Sequence, residues 1–136
     1  MKSRETLIRL KRFQLDEKRK RVAQIEGMIA EFDRMAADLD REVAAEEKRS
    51  GISDLSHFAY PTYAKAARNR RDNLKRSADE LKTQLDEAQA ELGEAFEALK
   101  KVEILESRER SAERVAESAR DQAAMDGIGL ARAMRA

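Results

Sequence analysis

Apolar residues recur along the first fifty positions about every 3.5 residues. Ile8, Leu15, Val22, Ile29, Ala36 and Val43 stand seven apart, and Ile25, Phe32 and Leu39 follow three of them by three residues. That pattern is the a/d seam of a left-handed coiled coil. Polar residues fill most other positions, so the stripe is stable only when something covers it. Met28 and Met35 flank the seam at g positions as padding. The early d positions are Lys11 and Lys18, and Leu7, Leu10 and Phe13 lie off the strict stripe. The first turns therefore have a broadened apolar face, read either as loose packing near a coil end or as a surface for another protein.

The pattern returns after residue 70. Leu74, Leu81, Ala88, Ala95 and Val102 form one seven-residue series, and Ala78, Leu85, Leu92 and Leu99 form the other. It ends near Leu105; beyond it, expected core positions hold Glu106, Glu109 and Glu113, and the apolar residues are mostly alanine. Between the two periodic stretches stand Gly51, suited to a left-handed helix cap, and Pro61, tolerated in the first turn of a new helix. Ser3 is the expected N-cap of helix one, with Glu5 in its first turn.

A chain that reverses between these stretches sets Ile8 opposite Val102 and Ile29 opposite Leu81, so both stripes run out together. Charge agrees with that direction. Lys65, Arg68, Arg70, Arg71, Lys75 and Arg76 oppose Asp38, Asp40, Glu42, Glu46 and Glu47; Arg4, Arg9, Lys11, Arg12, Lys18 and Arg19 oppose Glu91, Glu94, Glu97, Glu103 and Glu106. A parallel homodimer would stack like blocks on like. The expected fold is all-α, a two-helix antiparallel coiled-coil hairpin with helix two extending beyond helix one, and about 70 Å long at 1.5 Å per residue. Its segments are helix one at 3–50, a turn at 51–60, helix two at 61–125 and a weakly ordered tail at 126–136, where Gly127 and Gly129 weaken the helix. The stretch from Arg110 to Met125 has no intramolecular partner in this scheme. Its narrow alanine-rich face suits a close-fitting groove or pore, or frays in solution.

Composition narrows the function classes. With 40% charged and 4% aromatic residues, the 136-residue chain has too little large apolar material for a globular core. A formal charge of +1 gives no argument for nucleic acid or an acidic membrane. Absence of cysteine excludes disulfides and thiolate sites and fits a reducing compartment. No apolar run approaches membrane-spanning length, and the charged N-terminus has no signal-like apolar region after it, so a cytosolic location is expected. His57 lies beside Ser53, Asp54 and Ser56, but neighbouring residues on a thin turn make no pocket and no oxyanion hole. Carboxylates are plentiful yet solvated, with no Glu-x-x-His pair for a metal, and Gly127-Ile128-Gly129 has no lysine at phosphate-loop spacing. No enzyme, cofactor or metal site is expected.

Two features carry candidate partner binding. Phe58, Tyr60 and Tyr63 cluster at the tip beside Ala64, Ala66 and Ala67 and next to a basic run, either as an aromatic docking patch or, for Phe58 and Tyr60, as a plug for the open coil end. The other is the opposite end, where the N-terminal basic segment meets the overhang of helix two.

The length, the layout, the turn Phe58-Ala59-Tyr60-Pro61-Thr62-Tyr63 and the tail, Met125-Asp126 followed by Ala131-Arg132-Ala133-Met134-Arg135, together resemble the FliJ family of flagellar export proteins. In that family the hairpin is similar to the central stalk of rotary ATPases. The resemblance implies a non-enzymatic coupling subunit of the flagellar type III export apparatus, cytoplasmic and peripheral at the inner membrane at the flagellar base. It implies that Phe58, Tyr60, Tyr63 and Ala67 face the cytoplasmic domain of the membrane export gate. It implies that Met125, Asp126, Leu130, Arg132 and Arg135 face the hexameric export ATPase, with export chaperones as further partners. The tail departs from the family pattern, having Gly127 where an acidic residue is common and Gln122, Ala123 and Ala124 where a lysine is common. A monomer is expected in isolation. The rival reading from another class is a generic coiled-coil scaffold or homodimer; a nucleic-acid or membrane-surface binder is a weaker third.

Overall fold

A computed structural model describes residues 2–135. Among them are two α-helices and no strand: α1, Lys2–Ser50, and α2, Thr62–Arg135. The chain is an all-α, two-helix antiparallel hairpin with the second helix the longer.

Local chemistry sets the two helix ends that flank the turn. α1 stops at Gly51, which takes φ 74° at no steric cost and donates its N–H to the Glu47 carbonyl at 2.9 Å. Lys48 and Arg49 occupy the last turn, at the negative end of the helix dipole. The Pro61 carbonyl accepts the first bond of α2, from Lys65 N–H at 3.1 Å, so Thr62 opens the helix and the missing proline N–H costs nothing. At the start of α1 the helix already includes Lys2, so Ser3 lies inside the first turn instead of capping it. α2 also differs from the expected end at Met125. It continues through Gly127 and Gly129 to Arg135, because no proline interrupts it, each glycine costs only about 1 kcal/mol, and Arg132 and Arg135 suit the last turn.

Packing divides the chain into two units. One comprises residues 15–94 and contains the turn. Its core is Val22 and Ile25 of α1 against Leu81 and Ala88 of α2, with Ile29, Phe32, Leu85 and Leu92 packed around them. Burying a side chain the size of Ile25, the most enclosed large residue, stabilises by about 1.5–3 kcal/mol. The seam on α2 begins earlier than Leu74. The two series reach back through Ala67 to Tyr60 and through Arg71 to Ala64, all buried or half-buried. With Ala64 at a and Ala67 at d, ion pairs join e positions along one side, Arg68–Glu47 at 2.8 Å and Lys75–Asp40 at 3.9 Å. On the other side a hydrogen bond from the g-position hydroxyl of Tyr63 reaches the g-position Glu42 at 2.9 Å. Facing e with e and g with g is the signature of antiparallel helices with staggered seams.

The other unit comprises residues 2–14 with 95–135. Here Leu99 is buried, and Ile8 and Val102 are half-buried. Arg12 and Glu103 pair at 3.5 Å, again e with e, and Arg4 pairs with Glu109. The seam therefore continues past Leu105 through Glu106 and Glu109. Every residue from 110 to 135 is exposed.

Candidate functional site

At the turn, Tyr60 is held rather than displayed. Its ring is 8% exposed, and its hydroxyl donates to Glu47 Oε1 at 2.8 Å. Arg68 closes the ring of contacts, with Nε donating to the Tyr60 hydroxyl at 2.9 Å and Nη2 to the same Glu47 oxygen at 2.8 Å. Hydrogen bonds from Arg68 and then Tyr60 hold the Glu47 carboxyl below its usual range, and the same contacts raise the Arg68 pKa. Of the two readings offered for Tyr60, the plug describes its geometry. Ala67 sits in the seam one heptad further on, 5% exposed, where only a small residue lets the helices approach.

Phe58 is the opposite case. It is 97% exposed, its ring stacked on His57 with centroids 4.8 Å apart. The turn beneath it is tied by short polar contacts. Asp54 accepts from the Ser56 N–H at 3.0 Å and the Ser56 hydroxyl at 2.7 Å, which together lower its pKa. His57 Nδ1 accepts from Ala59 N–H at 3.0 Å. That nitrogen is engaged with backbone, so Ser56, His57 and Asp54 form turn scaffolding and not a nucleophile–base relay. Tyr63 is exposed, and the hydrogen bond it donates to the Glu42 carboxylate raises the phenol pKa. The tip thus presents Phe58, with Leu55 and Tyr63 also exposed, while Tyr60 and Ala67 support it from below. A seven-residue count backward from Leu74 through Ala67 to Tyr60 carries this distinction in the sequence.

The second candidate region is the length of α2 beyond Glu109. Met125, Leu130 and Met134 are exposed on it, as are Arg132 and Arg135 in the last turn. Asp126 accepts from Gln122 Nε2 at 3.1 Å, one turn earlier, a local bond that leaves the carboxylate on the surface. The helix brings these residues into one exposed surface segment with no enclosing pocket.

The remaining clusters have limited chemistry. Among the described residues no group of three or more His, Asp or Glu side chains is placed to hold a metal, and no helix is long and apolar enough to cross a membrane. Of the glutamates at expected core positions past Leu105, Glu106 is the buried one. Glu106 is 6% exposed at a seam position, with Oε1 taking Arg110 Nε at 2.9 Å and Oε2 unpartnered. Its place in the a series, seven after Leu99, is the signal that marks it.

No curated protein and no solved structure matches the chain. The antiparallel pair of long helices, the aromatic turn and the exposed end of α2 agree instead with a family-level match. The family model described as Flagellar FliJ protein covers residues 1–136, and the chain accordingly belongs to the FliJ family.

Proposed function

We propose that this protein is a non-enzymatic coupling component of the flagellar type III export apparatus, one that joins the export ATPase hexamer to the cytoplasmic domain of the membrane export gate and also receives export chaperones. Family membership over the whole chain supports a flagellar export-related role. The observation that carries the finer reading is the exposed helix from residue 110 to 135, a single helix about 10–12 Å across that is uncovered along its length. In this reading Met125, Asp126, Leu130, Arg132 and Arg135 contact the ATPase. At the tip, Phe58 and Tyr63 make the gate contact, and Tyr60 and Ala67 act by holding the tip in shape. The protein works at the cytoplasmic face of the inner membrane and reaches the membrane only through the gate.

Adding the purified protein to the export ATPase is expected to raise both hexamer content and turnover. A chain lacking residues 110–136 is expected to lose that effect while retaining the helix signal of residues 15–94. Unchanged assembly and turnover with the full chain would overturn the ATPase assignment and leave a coiled-coil scaffold as the better reading.

A further inference from the structure

The two sides of the unit formed by residues 2–14 and 95–135 are chemically unequal. On the e side, Arg12 and Glu103 close the edge of the seam with an ion pair. Among the described residues the g side has no such pair. Its residues are Leu7 and, a heptad on, Gln14 on α1, and Ala98 and Leu105 on α2, with Leu10 beside Leu7 at the next outward position. The g-to-g facing seen in the Tyr63–Glu42 hydrogen bond, carried along the same register, sets Leu7 opposite Ala98 with Leu105 one heptad further along α2, and Arg4 Nη1 lies 3.5 Å from the Leu105 carbonyl, one turn from Leu7. Leu10 is 49% exposed and Leu105 52%, a shallow apolar strip that the helix pair leaves open. Along its α2 margin stand Lys101 and Arg108, exposed and with no ion pair among the described residues.

We infer that this strip is a docking surface for an amphipathic helix of another protein, one whose apolar face is flanked by Asp or Glu. The apolar residues provide a groove for anchors spaced i, i+3 or i+4, and i+7, the usual pattern of a helix laid in a groove. The two unpaired cations select the sign of the helix's margin, since a basic margin would set like charges together without compensation. A second copy of this chain is a poorer occupant, because the matching strip of that copy would bring its own Lys101 and Arg108 against these. The inference stands apart from the proposed ATPase and gate contacts.

The test uses the full chain and two fluorescein-labelled synthetic helices of about 20 residues with the same leucine face, one with glutamate margins and one with lysine margins. Fluorescence anisotropy is expected to show saturable binding of the acidic helix, roughly tenfold tighter than the basic one. Leu105→Glu is expected to abolish it, and the pair Lys101→Glu with Arg108→Glu to reverse the preference. Circular dichroism confirms that the variants remain helical, as substitution at exposed positions allows. Equal binding of both helices, binding unaffected by Leu105→Glu, or no binding at all would overturn the inference. So would a concentration-dependent dimer in sedimentation that Leu105→Glu dissolves, which would make a second copy the occupant.

Discussion

At the scale of single residues, the two tip aromatics have opposite jobs, and a pair of substitutions separates them. Tyr60→Phe keeps the ring and removes the hydroxyl that bridges Glu47 and Arg68, so thermal unfolding is expected to show a loss of about 1 kcal/mol. Phe58→Ala removes a ring that touches little but His57, and is expected to change stability by less than about 0.5 kcal/mol while weakening partner binding at the tip. The Glu47 contacts also have a pH signature. Its carboxyl is depressed in the folded chain, so the stability it contributes is complete above the ordinary carboxylate range and is lost as pH falls through the depressed folded value. Glu47→Gln should therefore flatten the acid limb of a melting-temperature profile relative to the parent, and an unchanged limb would count against the bridge. Composition alone makes Phe58 and Tyr60 equivalent, two aromatics at a turn. They differ because Tyr60 keeps heptad phase with Ala67 and Leu74 and Phe58 does not. Glu106 is the reverse case, a charge in phase with the seam that burial accepts at a cost. Glu106→Leu should raise stability by about 1–2 kcal/mol in chemical unfolding, since an unpartnered buried oxygen is replaced by packing and Arg110 is left in solvent.

At the scale of the helices, most of the architecture is legible because a seven-residue repeat leaves few alternatives. The apolar series places both helices, and Gly51 and Pro61 bound the turn to within a residue or two. Both features report strong local terms, burial of a stripe and a forbidden or required backbone angle. The far end of α2 is less legible. Beyond Glu109 no seam holds the chain, and helix persistence depends on propensities of a few tenths of a kcal/mol per residue, summed over many positions. Gly127 and Gly129 mark the weakest turns. A Cβ at either position meets open space, so nothing within the molecule requires glycine there. Gly127→Ala with Gly129→Ala is expected to stabilise helical structure locally by about 1 kcal/mol per site, read as slower amide exchange over residues 122–135. Should the same double substitution weaken ATPase stimulation, the glycines would be serving close approach of the ring.

At the scale of the whole molecule, charge blocks fix the direction of pairing and so the hairpin, but contact density decides how stability is shared, and that is not written in any one motif. Among the described residues the buried apolar side chains are Leu15, Val22, Ile25, Ala36, Val43, Tyr60, Ala64, Ala67, Ala78, Leu81, Ala88 and Leu99, and of these only Leu99 belongs to the unit of residues 2–14 and 95–135. That unit instead has Glu106 in its seam, together with the half-buried Lys11 of α1 and Glu109 of α2. Local opening free energy follows buried apolar area, so this unit should open well before the other one. Native-state hydrogen exchange is expected to show protection that is strongest at 20–45 and 64–92 and falls by at least an order of magnitude in rate at 4–14 and 95–109, with 110–135 least protected. Uniform protection along both helices would mean that the seam's polar positions cost nothing. A gradient of this kind has a functional consequence. The end of the molecule that lacks its own apolar closure is the end where a partner contributes most to order, and acidic-helix binding at Leu105 should raise protection at 4–14 and 95–109 while leaving the exchange of Ile25 and Leu81 unchanged.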